Sequence, residues 1–181
     1  MGEQVSFEDI KKLFQETDRK MQETDRKMQE TDRQMRETDR KIGRLGNRLG
    51  EFVEGVVRPG LVRLFRERGV EVHQTIGDLE ARRDGEAAQV DLLVVNEGHA
   101  VAVEVKSKLD ADAVDEHLVR LEKFKRLFPQ YKDTRLHGAV AAMVIPEEAA
   151  RYAEKRGMFV IGHSGDDAML LNSAGFEPLT W

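Results

Sequence analysis

The stretch that most restricts how this chain can fold is QVDLLVVNEGHAVAVEVKSKL, Gln89–Leu109. Two apolar runs rich in Val and Leu, Val90–Val95 and Ala100–Val105, flank a short turn centred on Glu97-Gly98. Such runs around a glycine-bearing turn predict a β-hairpin, with Gly98 supplying a positive φ at the reversal. With Asn96 facing His99, paired positions sum to 195, and Asp91 stands directly opposite Glu104. Lys106 lies two residues beyond Glu104 and therefore on the same face. Directly opposed Cβ atoms are about 4.5–5.5 Å apart, and like charges there are destabilising. Two carboxylates set among Leu92, Leu93, Val94, Val101, Val103 and Val105 need a compensating cation. Mg²⁺, with Mn²⁺ as a substitute, suits one or two carboxylates together with waters and phosphate oxygens. Lys106 beside it would position the attacking water or stabilise developing negative charge. The plainer alternative is that Asp91, Glu104 and Lys106 are solvated strand-end residues.

Asp91, twelve intervening residues and then Glu104-Val105-Lys106, all within apolar strands, resemble the signature of the PD-(D/E)XK nuclease superfamily. Val90 stands where the superfamily's name has Pro. Upstream, GNRLGEFVEGVV, a helix through LVRLFRERG and the strand-like VEVHQTI resemble the helix–strand–hairpin core of Holliday-junction-resolvase-like members. The likeness extends over roughly residues 50–161. It implies an α/β, restriction-endonuclease-like fold: a mixed β-sheet flanked by helices. It also implies Mg²⁺-dependent hydrolysis of DNA phosphodiester bonds, with Asp91, Glu104 and the Val105 carbonyl as metal ligands and Lys106 serving the water. Members often carry a Glu on the first helix. Glu51 in LGEF is the candidate here, ahead of Glu54, and an ordinary solvated helix carboxylate is the alternative for either. Heptads followed by such a domain also resemble uncharacterised bacterial proteins of that layout.

Those heptads occupy the first part of the chain: QETDRKM, QETDRKM, QETDRQM, RETDRKI. With Phe14 at position a, Met21, Met28, Met35, Ile42 and Leu49 also fall at a. Ile10, Thr17, Thr24, Thr31, Thr38, Leu45 and Phe52 fall at d. A strict seven-residue repeat predicts a left-handed coiled coil. Asp18, Asp25, Asp32 and Asp39 occupy e, and Lys20, Lys27, Gln34 and Lys41 occupy g. In a parallel pair g of one helix meets the following e of its partner, so Lys20–Asp25 and Lys27–Asp32 attract. Antiparallel pairing would set Lys against Lys. A parallel homo-oligomer, most simply a dimer, is expected, weak in the middle because Thr is a poor knob. A solitary charged helix held by pairs such as Glu16–Lys20 is the alternative. Ser6 is the expected N-cap. The glycines from Gly43 to Gly60 mark the passage from coil to domain, so residues 1–50 and 51–181 are read as separate domains. Pro59 should kink or restart the helix, which ends at Gly69.

Charge argues against a generally basic nucleic-acid binder. The chain carries a net −5. Residues 1–50 hold 12 Lys+Arg and 11 Asp+Glu, leaving 17 and 23 for residues 51–181, a domain charge of −6. Because phosphate neutralisation is the usual source of affinity, DNA contact must come from local patches. Val119–His137 is one, at +4, with Lys125 and Arg126 preferred as phosphate contacts. Arg82 and Arg83 in the polar stretch Asp78–Ala88, expected as a loop, are a second. Solvated faces are the alternative for both. There is no cysteine, which removes disulfides, thiolate metal sites and thiol nucleophiles. No apolar run is long enough to span a bilayer, and no basic-then-apolar leader opens the chain, so a cytoplasmic protein is expected.

The remaining elements follow from period and caps. Val70–Ile76 reads as the first strand. Asp110 or Asp112 caps a helix with Val114, Leu118, Leu121, Phe124 and Phe128 inward. Leu136–Ile145 reads as a central strand. Pro146 as a first helical residue and Gly157 past the end frame the last helix. Met158–Ile161 and Ala168–Leu171 complete the sheet. GHSG lacks the last Gly of a nucleophile elbow, so His163 and Ser164 read as loop. His73, His99, His117 and His137 have no metal-ligand spacing, and no phosphate-binding glycine loop is present. Two functions from different classes result: an Mg²⁺-dependent DNA endonuclease, and a catalytically silent adaptor that keeps the nuclease fold. A nuclease subunit that needs a partner protein is a third.

Overall fold

The computed structural model describes residues 7–181, so Ser6 lies outside the described residues. The chain divides into two compact units, Met1–Gly46 and Asn47–Trp181. The heptads form one uninterrupted α-helix, α1 (Phe7–Phe52). Its charged faces are laced by i,i+4 pairs: Glu16–Lys20 at 3.3 Å, Glu23–Lys27 at 2.8 Å and Glu37–Lys41 at 3.1 Å. Thr17, Thr24, Thr31 and Thr38 donate back to the carbonyls of Leu13, Lys20, Lys27 and Gln34 at 2.8–2.9 Å. Each hydroxyl is thereby satisfied within its own helix. Phe14, Met21, Met28, Met35 and Ile42 form an exposed apolar row.

In the second unit the helical path continues through one π-helical turn (Val53–Val57) into α2 (Arg58–Glu67). Pro59 has no N–H to donate to the preceding turn, and the wider turn absorbs that loss. Arg58 is followed by Pro59 in the first turn of α2, and Gly69 at φ 75 follows the helix end.

Six strands form one sheet in sequence order: β1 (Gln74–Arg83), β2 (Glu86–Val95), β3 (His99–Lys108), β4 (Arg135–Val144), β5 (Phe159–Ser164) and β6 (Asp167–Leu170). The pairs β1–β2, β2–β3 and β5–β6 are antiparallel, while β3–β4 and β4–β5 are parallel. The parallel steps are bridged by α3 (Ala111–Leu127) and α4 (Glu147–Lys155). Asp110 caps α3, its carboxylate accepting the Ala113 N–H at 2.9 Å. Pro146 is the N-cap of α4 rather than its first residue. One core lies between the sheet and α3 and α4, built on Leu93, Ala102, Leu121, Phe124 and Val140. A second lies on the other face beneath α2, built on Leu61, Phe65, Leu92, Val103 and Phe159. This is the expected mixed sheet with helices on both faces. Gly138 brings α3 close: a Cβ there would lie 2.4 Å from Leu121 Cδ1.

Four expectations need correction. Asp78–Ala88 is not a polar loop, and the first strand is not Val70–Ile76. β1 runs to Arg83 and turns into β2 through Asp84 (φ 52) and Gly85 (φ 81). Two positive φ values in a two-residue turn are what a twisted hairpin needs, and Asp-Gly supplies them. Gly98 does not have a positive φ. Its turn is held instead by Asn96 Oδ1, which accepts the N–H groups of Gly98 at 2.7 Å and His99 at 2.6 Å. His163 and Ser164 end β5 rather than lying in a loop.

Candidate active site

The β2–β3 register is the one read from the sequence: Leu92 pairs with Val103 and Val95 with Ala100, with Asn96 N–H on the His99 carbonyl at 3.0 Å. The regular ladder stops at Leu92–Val103. At the next position, where Asp91 and Glu104 would oppose each other, it opens. Asp91 Oδ2 reaches across and accepts the Val105 N–H at 2.7 Å. The N–H and C=O of one strand residue leave the same edge, so the Val105 carbonyl also borders this opening.

The same position is broken on the other side. β1 pairs with β2 through Gly77–Leu92 and resumes at Leu79–Val90, leaving Asp78 and Asp91 unpaired. Ile76, Leu79, Val90 and Leu93 all pack in the α3-side core. Residues three apart should face opposite sides of a strand, so both strands slip by one residue at this level. Asp78, at φ 50, takes part in the slip on β1. Asp78, Asp91 and Glu104 are three acids in a row across neighbouring strands, and regular pairing fails at each step, as like charges directly opposite would dictate.

Glu104 faces α3, and only 5% of its side chain is exposed. Lys106 Nζ lies 2.7 Å from its Oε1, and Arg120 Nη1 lies 2.7 Å from its Oε2. The Arg120 contact lacks hydrogen-bond geometry, leaving that buried nitrogen without a hydrogen-bond partner. Its Nη2 points out to Glu116 at 3.5 Å. His117, one turn away on α3, is wholly buried, and its Nε2 contacts the Ala102 carbonyl at 3.1 Å. A carbonyl only accepts, so Nε2 carries the proton and Nδ1 is a bare acceptor. That Nδ1 sits 4.0 Å from Glu104 Oε2 with no hydrogen-bond partner. Burial pushes the His117 pKa down to about 4 against the pull of Glu104. Burial also raises Asp91 above its ordinary range, with Glu104 adding to the rise and the Val105 amide opposing it.

The structure thus brings Asp91, Glu104, Val105 and Lys106 to one opening in the sheet. Glu51 is exposed near the end of α1. Among the described residues no group of three or more His, Cys, Asp and Glu is placed to hold a metal ion, so Glu51 does not join Asp91 and Glu104 in one acidic set. Arg82 and Arg83 lie at the tip of the β1–β2 hairpin, Arg83 paired with Glu86. Glu86 also takes Arg126 at 2.9 Å from Nε and Lys123 at 3.6 Å, tying the hairpin tip to α3. Lys125 is half-buried on the same helix.

Two residues of the site escaped sequence reading. Arg120 stood only as one charge in a basic stretch, and His117 as one of several scattered histidines. A signal was present: Val114, His117, Leu121 and Phe124 share the 3-4-3 spacing of a buried helix stripe. A polar residue on such a stripe needs a partner beneath it.

A family model described as a protein of unknown function (DUF3782) matches residues 8–78, which stop short of Asp91. Comparison with curated proteins finds no match. Among solved structures, the chain is similar to a repair endonuclease from Pyrococcus abyssi, at 23% identity and a TM-score of 0.41. The likeness covers 59% of this chain and 45% of that one. It is also similar to a structure of an EndoMS–dsDNA complex, at 18% identity and a TM-score of 0.37, over 64% of this chain and 44% of the other. The chain spans less than half the length of either.

Proposed function

We propose that this protein is a divalent-metal-dependent phosphodiesterase acting on DNA, with Asp91, Glu104 and Lys106 as its catalytic set. The observation that carries the reading is the opened ladder, where Asp91 reaches the Val105 amide and Glu104 and Lys106 meet at 2.7 Å beside it. The donors fit a hard cation: two carboxylates and a backbone carbonyl are all oxygen ligands, the choice of Mg²⁺ or Mn²⁺. Asp91, Glu104 and the Val105 carbonyl would hold it, with water completing the shell; Glu51 would have to act through water if it contributes. When bound, the ion supplies water with a lowered pKa and withdraws charge from the phosphate.

The chain's own residues do the rest. Lys106, 33% exposed, carries its ammonium from Glu104 towards solvent, where a phosphate arrives. There it holds the attacking water and stabilises negative charge on the non-bridging oxygens. A water oxygen bonds to phosphorus, the bond from phosphorus to the departing oxygen breaks, the water's proton goes to solvent and the departing oxygen takes one up. Arg82, Arg83, Lys125 and Arg126 are the proposed contacts to the DNA backbone in a domain of net negative charge, with Glu86 tying Arg126 to the hairpin tip. The apolar row of α1 pairs two chains in parallel, giving two nuclease-like units per assembly.

One observation favours a second reading. Both Glu104 oxygens already face a cation, so the network is neutralised without a metal, as a silent adaptor would allow. The two separate in one assay: incubation with supercoiled, linear, single-stranded and branched DNA in Mg²⁺ or Mn²⁺, beside Asp91→Asn. Metal-dependent cutting lost in the variant supports the enzyme. No cutting on any substrate, with no metal bound by calorimetry, leaves the adaptor.

A further inference from the structure

We propose that Arg120 occupies the metal's place as counter-charge in the free protein, and that a divalent cation displaces it to become a contact for the scissile phosphate. This rests on the nuclease reading and assigns a residue that the Asp–Glu–Lys signature does not contain. Glu104 is nearly sealed from water, yet its two oxygens are held by two different cations, each at 2.7 Å. The two cations come from different elements. Lys106 belongs to the same strand, two residues on. Arg120 comes from α3 and meets Oε2 at short distance without hydrogen-bond alignment. Its other nitrogen already reaches outward to Glu116, and 27% of the side chain is exposed. The guanidinium therefore has an outward resting place one helical turn away, beside the exposed Glu116.

The buried side of Oε2 offers no replacement. His117 Nδ1 is the nearest group there, and it is an unprotonated acceptor, because Nε2 spends its proton on Ala102. A lone pair facing a carboxylate at 4.0 Å repels it. If Arg120 leaves, Oε2 faces the bare His117 Nδ1 and keeps no cation of its own, Lys106 remaining on Oε1, so a divalent ion is favoured in its place. Arg120 and the metal thus compete for one oxygen. Removing the competitor should tighten metal binding, while removing the phosphate contact should weaken cutting. A residue that merely braced the fold would move both in the same direction. A planar guanidinium suits the second role, since it can meet two phosphate oxygens at once.

The test uses the full chain. Mn²⁺ affinity is read by calorimetry and cleavage by gel, for wild type, Arg120→Met and Arg120→Lys. Arg120→Met is expected to bind Mn²⁺ at least about threefold more tightly and to cut at least about tenfold more slowly, the range for loss of one charged contact to a reacting group. Arg120→Lys should return affinity towards wild type. Unchanged or weaker Mn²⁺ binding in a folded Arg120→Met overturns the proposal while leaving the nuclease reading intact. A wild type that binds no Mn²⁺ and cuts nothing overturns both. Should Arg120→Met fail to fold, Nε–H NMR of wild type decides, with the Arg120 resonance identified by its absence in Arg120→Lys. Movement of that resonance on saturation with Mg²⁺ supports displacement, and a fixed resonance with the metal bound refutes it.

Discussion

His117 sits in the wall of the site as a neutral imidazole, and its burial links the site to pH. Its pKa is about 4 in the folded chain against 6.5 for an unperturbed imidazole. The unfolded chain therefore binds more protons between those values, and stability rises with pH across the window. The contribution is complete above pH 6.5 and is lost as pH falls towards 4, by about 3 kcal/mol for this one group. Burial likewise lowers His137, which acts in the same sense. Urea unfolding at pH 4.5 and pH 7 should show the loss in wild type and a smaller one in His117→Gln, whose amide can still donate to Ala102. Equal loss in both would remove His117 as its source. The Glu104 pairs give a second expectation. Glu104→Gln leaves Lys106 and Arg120 without their shared counter-charge, but both reach solvent. The destabilisation should be about 1–2 kcal/mol, short of the 3–5 typical when a fully buried partner is stranded. Denaturant midpoints measure it directly.

At the scale of elements, the regular patterns are the legible ones. Strict sevens were enough for α1, and alternating Val and Leu with Asp-x₁₂-Glu-x-Lys were enough for the register of β2 and β3. The β1–β2 hairpin is hidden in the sequence because Asp78–Ala88 is polar and β1 is only half-buried, so alternation fades while the Asp84-Gly85 turn signal persists. That turn makes its own prediction. Gly85 at φ 81 lies where a Cβ is strained, so Gly85→Ala should lower stability by about 1 kcal/mol in thermal unfolding. In α1, the four threonine hydroxyls are satisfied within the helix and contribute little to a seam. Thr24→Leu with Thr31→Leu should therefore tighten self-association at least about tenfold, read by sedimentation against concentration. Unchanged monomeric behaviour in both wild type and variant would remove the coiled coil.

At the scale of the whole molecule, the proposed chemistry lies where the sheet fails to be regular. Three acids in register across β1, β2 and β3 interrupt both ladders, and α3 closes one side of the gap with Arg120 and His117. The paired carboxylates were legible because a strand's period of two is easily read. The α3 residues were not, because their arrival at Glu104 depends on how closely α3 seats over Gly138, a packing distance that no local pattern encodes. In the proposed enzyme binding and chemistry are divided, with Asp91 and Glu104 holding the cation and Lys106 serving the water. Lys106→Ala, examined for Mn²⁺ binding and DNA cleavage in one preparation, tests that division most directly. Mn²⁺ should bind at least as tightly as in wild type, with cutting slowed about a hundredfold or more. Cutting at the wild-type rate would remove Lys106 from the reaction.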